Sequence, residues 1–109
     1  MRTPDVLRAA ADLISKPGAW TQRSIARNGN HEPCGAVSVE ACSWCAIGAI
    51  WASTREPFLR RDAQAMAEAV LPENSLSGYN DAEDRTAEEV VSLLRSAATE
   101  WERADEALK

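Results

Sequence analysis

The residues best suited to chemistry are concentrated in one short stretch of the chain. The single histidine, His31, and all three cysteines, Cys34, Cys42 and Cys45, lie within 15 consecutive residues. Zinc is held tetrahedrally by thiolates and imidazoles, and ligand pairs two residues apart are a common way to present them. The two pairs therefore indicate a zinc site as one hypothesis. The gap of seven residues between the pairs is short for such a site, so packed free cysteines remain the alternative.

The same thiols allow two further hypotheses. Residues 42–45 have the Cys-x-x-Cys spacing of a redox pair, and a helix N-terminus would lower the pKa of a thiol placed there. Alternatively, Cys45 is the nucleophile of a thiol enzyme, with His31 as its base and with Asn80 or Asp81 orienting the imidazole. No strand-helix-strand pattern surrounds the redox spacing, and nothing requires His31 to reach Cys45. We therefore expect no enzymatic activity.

Two amphipathic helices are predicted at the ends of the chain. Thr3 is a candidate N-cap with Pro4 at the first helical position, and apolar residues then recur at helical spacing. Thr86 and Glu89 form a capping-box pattern at the start of the last helix. The apolar stripe of that helix continues for six turns, to Leu108.

The middle of the chain is predicted to hold the central element. A helix is expected over residues 38–53, and because residues 41–53 carry no charge it should be buried on all sides. Trp44 and Trp51 are seven residues apart and would share one face of it. Gly48 in its interior indicates that another backbone packs closely there.

The remaining segments are a loop and a third helix. Turn residues predict a long irregular loop over residues 19–37, while Asn80 and Asp81 are expected to form the entry to the last helix. The third helix is predicted over residues 57–71. Its candidate core residues are Phe58, Leu59, Met66, Ala69 and Val70. Together the segments predict one all-α domain over residues 1–109: a compact bundle of about four helices around the central charge-free helix, with the long loop between helices 1 and 2.

Charge and composition exclude several classes of protein. The 109 residues carry a net charge of −5, with +1 in residues 1–72 and −6 in residues 73–109. No basic stripe is present, so no nucleic-acid partner is expected. The longest apolar run, residues 44–52, has nine residues, against about 20 for a membrane span. Residues 1–12 mix charged with apolar positions, unlike a signal peptide, so we expect a cytoplasmic protein without a membrane partner.

Three segments taken in order resemble a family of small bacterial and bacteriophage proteins. They are Trp20-Thr21-Gln22, then Trp44-Cys45-Ala46-Ile47-Gly48-Ala49-Ile50, and then Tyr79-Asn80-Asp81 ahead of an amphipathic last helix. The resemblance spans most of the chain. It implies an organisation and no particular activity. The pattern singles out Gly48 and six candidate binding residues: Trp20, Thr21, Gln22, Cys45, Asn80 and Asp81. Their polar groups form either a small pocket over Cys45 or a hydrogen-bonded junction between the loop and the bundle, and we favour the junction.

The resemblance also bears on the other hypotheses. It does not single out His31, Cys34 or Cys42, which weakens the zinc hypothesis. Many members have a histidine near the start of the last helix, whereas residues 85–88 contain none here, which weakens the hypothesis of a thiol enzyme centred on Cys45.

Four functional hypotheses follow. The first is a non-catalytic, cytoplasmic interaction or accessory protein without a cofactor, derived from a phage or mobile element, with a protein partner on its acidic last helix and exposed aromatic residues. The second is a small module stabilised by zinc on His31, Cys34, Cys42 and Cys45. The third is an acidic phage-type inhibitor of a host nucleic-acid-binding protein. The fourth is the Cys45 thiol enzyme.

Overall fold

Helices occupy both ends of the chain and most of its second half. The computed structural model describes residues 1–108. Its elements in chain order are α1 (Thr3–Ile14), β1 (Ala26–Arg27), β2 (Pro33–Cys34), β3 (Ser43–Trp44), α2 (Ala46–Ser53), α3 (Pro57–Ala69), α4 (Leu76–Asp81) and α5 (Ala87–Ala107).

The two terminal helices pack against each other and hold most of the core. Both apolar stripes predicted from the sequence face this contact, where Leu7, Ile14 and Leu94 are almost completely buried. Burying such a side chain contributes about 1.5–3 kcal/mol. The predicted capping box is confirmed, because Thr86 accepts a hydrogen bond from the Glu89 amide and Glu89 accepts one from the Thr86 amide. The stripe ends early, since Leu108 is 87% exposed.

The fold is mostly helical, but the prediction of an all-α domain was wrong at residues 19–45, where we expected an irregular loop over residues 19–37 followed by a helix. This stretch forms a three-stranded antiparallel sheet in the order β2-β1-β3. Ala26 pairs with Cys34 on one side and with Trp44 on the other. Strands of two residues are too short to show an alternating polar and apolar pattern, so their pairing depends on contacts between distant segments.

The central helix is shorter than predicted. It starts at Ala46 rather than Ser38, because Cys45 has an extended backbone and serves as its N-cap. Trp44 therefore lies on a strand, and it does not share a helix face with Trp51. The expectation of burial on all sides was also wrong, since Trp51 is 39% exposed.

Helix α3 fully buries two alanines that were not among the predicted core residues. Its fully buried positions are Ala63 and Ala67. Phe58 is 65% exposed, and Val70 lies beyond the end of the helix and is 40% exposed. Ala69 is exposed as well, so three of the five core predictions were wrong, because α3 turns only a narrow face to the core. Leu59 and Met66 are partly buried and pack against that core.

A short helix that the sequence analysis missed precedes α5. Ser75 caps α4 by accepting a hydrogen bond from the Gly78 amide. Asn80 and Asp81 were predicted to begin the last helix, but they end α4 instead. The predicted N-cap of α1 is also displaced by one residue, since Arg2 occupies that position and Thr3 is already helical. Over residues 1–108, no helix has the length and apolarity needed to cross a membrane.

Candidate functional site

The six candidate binding residues lie close together, and we call them the Asn80 junction. Three of them follow α1, one caps α2 and two end α4. The members are Trp20, Thr21, Gln22, Cys45, Asn80 and Asp81. Backbone hydrogen bonds position the three residues that follow α1. The Thr21 amide donates to the Trp44 carbonyl at 3.0 Å, and the Trp44 amide donates to the Ala19 carbonyl at 2.8 Å.

Asn80 is the centre of the junction and is completely buried. Its Oδ1 accepts hydrogen bonds from Trp20 Nε1 at 2.7 Å and from the Ala46 amide at 3.0 Å. Its Nδ2 donates to the Thr21 carbonyl at 3.1 Å and to Asp81 Oδ1 at 2.9 Å. One amide thus uses two acceptor and two donor positions, which is its full capacity.

Gln22 and Asp81 fasten the loop to the end of α4. Gln22 Nε2 donates to the carbonyls of Asn80 and Ala82, each at 3.0 Å. Asp81 Oδ1 accepts from the Arg23 amide at 2.9 Å. Carbonyls at the end of a helix lack intrahelical donors, so the Gln22 side chain supplies hydrogen-bond donors to the carbonyls at the end of α4.

Cys45 is held as a neutral thiol. Its side chain is 7% exposed and accepts a hydrogen bond from the Gly48 amide at 3.3 Å. Burial raises the pKa of this thiol, and the nearby Asp81 carboxylate raises it further, while the amide hydrogen bonds oppose the shift. A thiol of this kind is a weak nucleophile at neutral pH because the thiolate is the reactive form.

Gly48 allows the backbone just before β1 to contact α2. A Cβ at this position would lie 1.9 Å from the Ile25 carbonyl oxygen. The same carbonyl accepts a hydrogen bond from the Cys45 amide at 3.2 Å. The expectation that another backbone packs closely at Gly48 is therefore confirmed.

The four residues of the zinc hypothesis are distributed over the sheet. Cys34 lies on edge strand β2, whereas Cys42 directly precedes β3 on the other side of β1. Two strand spacings separate these edges, about 10 Å. His31 is exposed in the turn between β1 and β2, with φ of 65°. Within residues 1–108 no three or more His, Cys, Asp or Glu side chains are grouped to hold a metal ion, and zinc binding stays a prediction.

The distance between Cys42 and Cys45 also disfavours the redox-pair hypothesis. Cys42 and Cys45 flank the extended residues of β3, and three extended steps span about 10 Å. A disulfide needs Cα atoms within about 7 Å of each other. All three cysteines are free thiols.

Arg27 supports the junction, and sequence reasoning missed it. Its guanidinium donates to Thr21 Oγ1 at 3.0 Å, to the Gln22 carbonyl at 3.2 Å and to the His31 carbonyl at 3.1 Å. These acceptors are set by irregular backbone rather than by a regular spacing, so no sequence pattern identifies them.

Two aromatic residues that the structure leaves exposed, Trp51 and Phe58, lie beside arginines. Arg60 is 5.5 Å from the centre of the Trp51 ring and also donates to the Trp51 carbonyl at 2.8 Å. Arg61 is 5.1 Å from the Phe58 ring. Both rings therefore have an arginine of α3 as their neighbour.

The carboxylates expected to form the acidic partner surface of α5 are partly neutralised. Glu102 pairs with Arg8 at 2.7 Å, and Glu100 pairs with Arg103 at 3.2 Å. Hydrogen bonding to Arg8 lowers the pKa of the Glu102 carboxyl. Two of the carboxylates on this part of α5 are therefore already paired within the chain.

Comparison with known proteins yields a family and nothing narrower. No curated protein and no solved structure matches this chain. A family model described as "Family of unknown function (DUF6197)" matches residues 1–100. This range includes every member of the Asn80 junction and all five helices except the end of α5. The chain belongs to the DUF6197 family.

Proposed function

We propose that this protein is a non-catalytic interaction module that binds a basic protein partner through its acidic C-terminal third. One observation carries the proposal: the polar side chains of the Asn80 junction form hydrogen bonds within the chain, whereas Glu73 and Glu88 are exposed and have no hydrogen-bond or ion-pair partner among residues 1–108. Asn80 has no free hydrogen-bonding position, and the Cys45 thiol is buried and neutral. The junction therefore holds the loop, α2 and α4 in place.

The concentration of negative charge in residues 73–89 supports binding of a positively charged partner. Residues 73–89 contain six carboxylates and one arginine, a net charge of −5, which equals the net charge of the whole chain. The other 92 residues balance, with 11 basic and 11 acidic side chains. Charge concentrated on one part of a surface attracts oppositely charged partners and accelerates their association.

The cellular setting is part of the same proposal. Three free thiols suit a reducing compartment, so we place the protein in the cytoplasm. The resemblance to bacterial and bacteriophage proteins supports an accessory role for a phage or mobile element.

The experiment is affinity capture from a host-cell extract, followed by binding measurements with the purified partner. Raising the ionic strength from about 0.1 M to about 1 M shortens the Debye length from roughly 10 Å to 3 Å. We expect a basic partner whose affinity falls at least tenfold over this range. Recovery of no saturable partner, or of one whose affinity is independent of salt, would contradict the proposal.

A further inference from the structure

An open groove lies where the end of α3 meets α4 and the start of α5, and we call it the Tyr79 groove. It consists of two cavities of about 430 Å³ and 320 Å³, and Tyr79 lines both. Val70 and Leu93 line the first cavity, whereas Leu71 and Pro72 line the second. The groove therefore has an apolar floor built from three helix ends.

The wall of the groove is held in one geometry. The Arg85 guanidinium lies 3.7 Å from the centre of the Tyr79 ring, and Arg85 Nε donates to the Tyr79 carbonyl at 2.8 Å. A third contact joins Arg85 Nη1 to Glu89 Oε2 at 3.2 Å. The tyrosine ring is thus fixed before any partner arrives, which lowers the entropic cost of binding.

The apolar floor is incompletely covered by the chain itself. Val70 is 40% exposed at the groove, although its neighbour Leu71 is buried. Tyr79 and Leu93 are half-buried and pack against the core. A partner side chain placed here would remove apolar surface from water without requiring the core to open.

The rim of the groove is acidic. Glu88 lines the first cavity and Glu73 lines the second. Both are exposed, and neither has a hydrogen-bond or ion-pair partner among residues 1–108. Arg85, which lines the second cavity, already contacts Glu89. Arg95, which lines a neighbouring cavity together with Glu88, is also ion-paired. An occupant complementary to this groove carries positive charge beside an apolar side chain.

We propose that the Tyr79 groove binds a short cationic, amphipathic segment of a partner protein. A leucine-sized side chain of that segment packs against Val70 and Tyr79, while its lysine or arginine side chains reach Glu73 and Glu88. Arginine suits the rim because it bonds carboxylates in a bidentate manner. This inference rests on the proposed function and gives it a location and a chemistry.

The test uses a fluorescent amphipathic peptide of about 12 residues, roughly three helical turns, composed of lysine, arginine and leucine. Its affinity is measured by fluorescence anisotropy. The double variant Glu73→Lys/Glu88→Lys is expected to bind at least tenfold more weakly. Val70→Ser, which leaves the charge unchanged, is expected to bind about threefold to tenfold more weakly, because it removes apolar contact.

The matched control is Glu100→Lys/Glu106→Lys, which changes the net charge by the same amount. Glu100 and Glu106 lie on the same helix as Glu88, about 18 Å and 27 Å further along its axis at 1.5 Å per residue. We expect this variant to lose less than half as much binding free energy as the groove variant. Circular dichroism confirms that every variant is folded, and chemical shifts of the wild-type chain locate the peptide independently.

Each outcome separates the groove from the proposed function. A larger loss in the control than in Glu73→Lys/Glu88→Lys, with shifts at the end of α5, would overturn the groove while supporting an acidic interaction surface. Equal losses in both, with no effect of Val70→Ser, would overturn it in favour of nonspecific charge attraction. Absence of binding by the wild-type chain would also overturn it, and capture of a salt-sensitive partner would then still support the proposed function.

Discussion

At the scale of single residues, one buried amide joins three parts of the chain. Asn80 connects the Trp20 indole, the amide of Ala46 at the start of α2 and the carbonyl of Thr21. A buried polar group costs free energy unless it is bonded, and the cost of removing its partner exceeds the net value of the bond itself. Asn80 is therefore a structural residue whose loss leaves two donors without acceptors.

We predict that Asn80→Ala lowers the free energy of unfolding by about 3 kcal/mol, since each buried donor left unpaired costs about 1–3 kcal/mol. Urea denaturation measures the change. Asn30→Ala is the control, because Asn30 is exposed and its side chain makes no hydrogen bond within residues 1–108. Equal stability of the two variants would show that the junction does not hold the fold together.

Cys45 is the second residue with a measurable signature. Burial raises the pKa of its thiol, so in an unfolded chain the thiol ionises at lower pH than in the folded chain. The contribution of the Cys45 thiol to the free energy of unfolding is therefore fully present below the pKa of the thiol in the unfolded chain. It is lost as pH rises through the pKa of the thiol in the folded chain.

We predict that Cys42, which is exposed, is alkylated fastest and that Cys45 is alkylated slowest in the native state at neutral pH. Peptide mapping by mass spectrometry gives the order. Rapid alkylation of Cys45 would instead support the thiol-enzyme hypothesis.

We also expect the wild-type chain to lose more stability than Cys45→Ala as pH rises from about 7 to about 10, across the ordinary thiol range.

At the scale of elements, the contact between α2 and the sheet depends on a missing side chain. Gly48 lets the Ile25 carbonyl approach the helix, and the segment around Ile25 leads directly into β1. Glycine within a helix costs about 1 kcal/mol relative to alanine. This cost is offset because the close approach lets the Ile25 carbonyl bond to the N-cap of α2.

We predict that Gly48→Ala destabilises the protein by about 3 kcal/mol, despite the better helix propensity of alanine, because the added methyl would overlap a backbone atom that cannot rotate away. Chemical denaturation measures the loss. Gly35→Ala is the matched control, since a Cβ there would meet no atom within 4 Å. A stabilised Gly48→Ala variant would contradict the packing described for α2.

At the scale of the whole molecule, helices form the core and the sheet lies over one end of α2. The radius of gyration is 13.2 Å, close to the roughly 13 Å expected for a compact domain of this length. The buried residues of the main apolar cluster belong almost entirely to helices, with α1 and α5 in extensive contact, and Trp44 of β3 packs against this cluster. Strand β3 pairs with Trp20 of the Asn80 junction, and the strand order separates Cys34 from Cys42.

We predict that excess chelator leaves the thermal melting curve of the protein unchanged, because the strand order keeps Cys34 and Cys42 on opposite edges. Metal analysis of untagged protein, with a thiol count on the same sample, provides the second measurement. About one zinc per chain, together with a lower melting temperature in chelator, would establish the zinc-stabilised module, since structural metal binding is coupled to folding.

The amino-acid sequence by itself determined the terminal helices. Their apolar residues recur with the helical period, and the Thr86–Glu89 capping box depends on positions three residues apart. Such signals are local, so they can be recognised without knowing the partner. Gly48 carried a local signal too, although the sequence did not reveal that Ile25 was the neighbour.

The sheet, helix α4 and the structural role of the Asn80 junction became clear only from the tertiary structure. Trp20 and Asn80 are 60 residues apart along the chain, and no periodicity connects them. The strands have two residues each, which is too short to carry a pattern. The family-like motif identified the residues of the junction, but only their hydrogen bonds distinguish a satisfied internal connection from an open binding site. The physical reason is that a polar side chain has the same sequence signature whether its partner is the chain itself or another molecule.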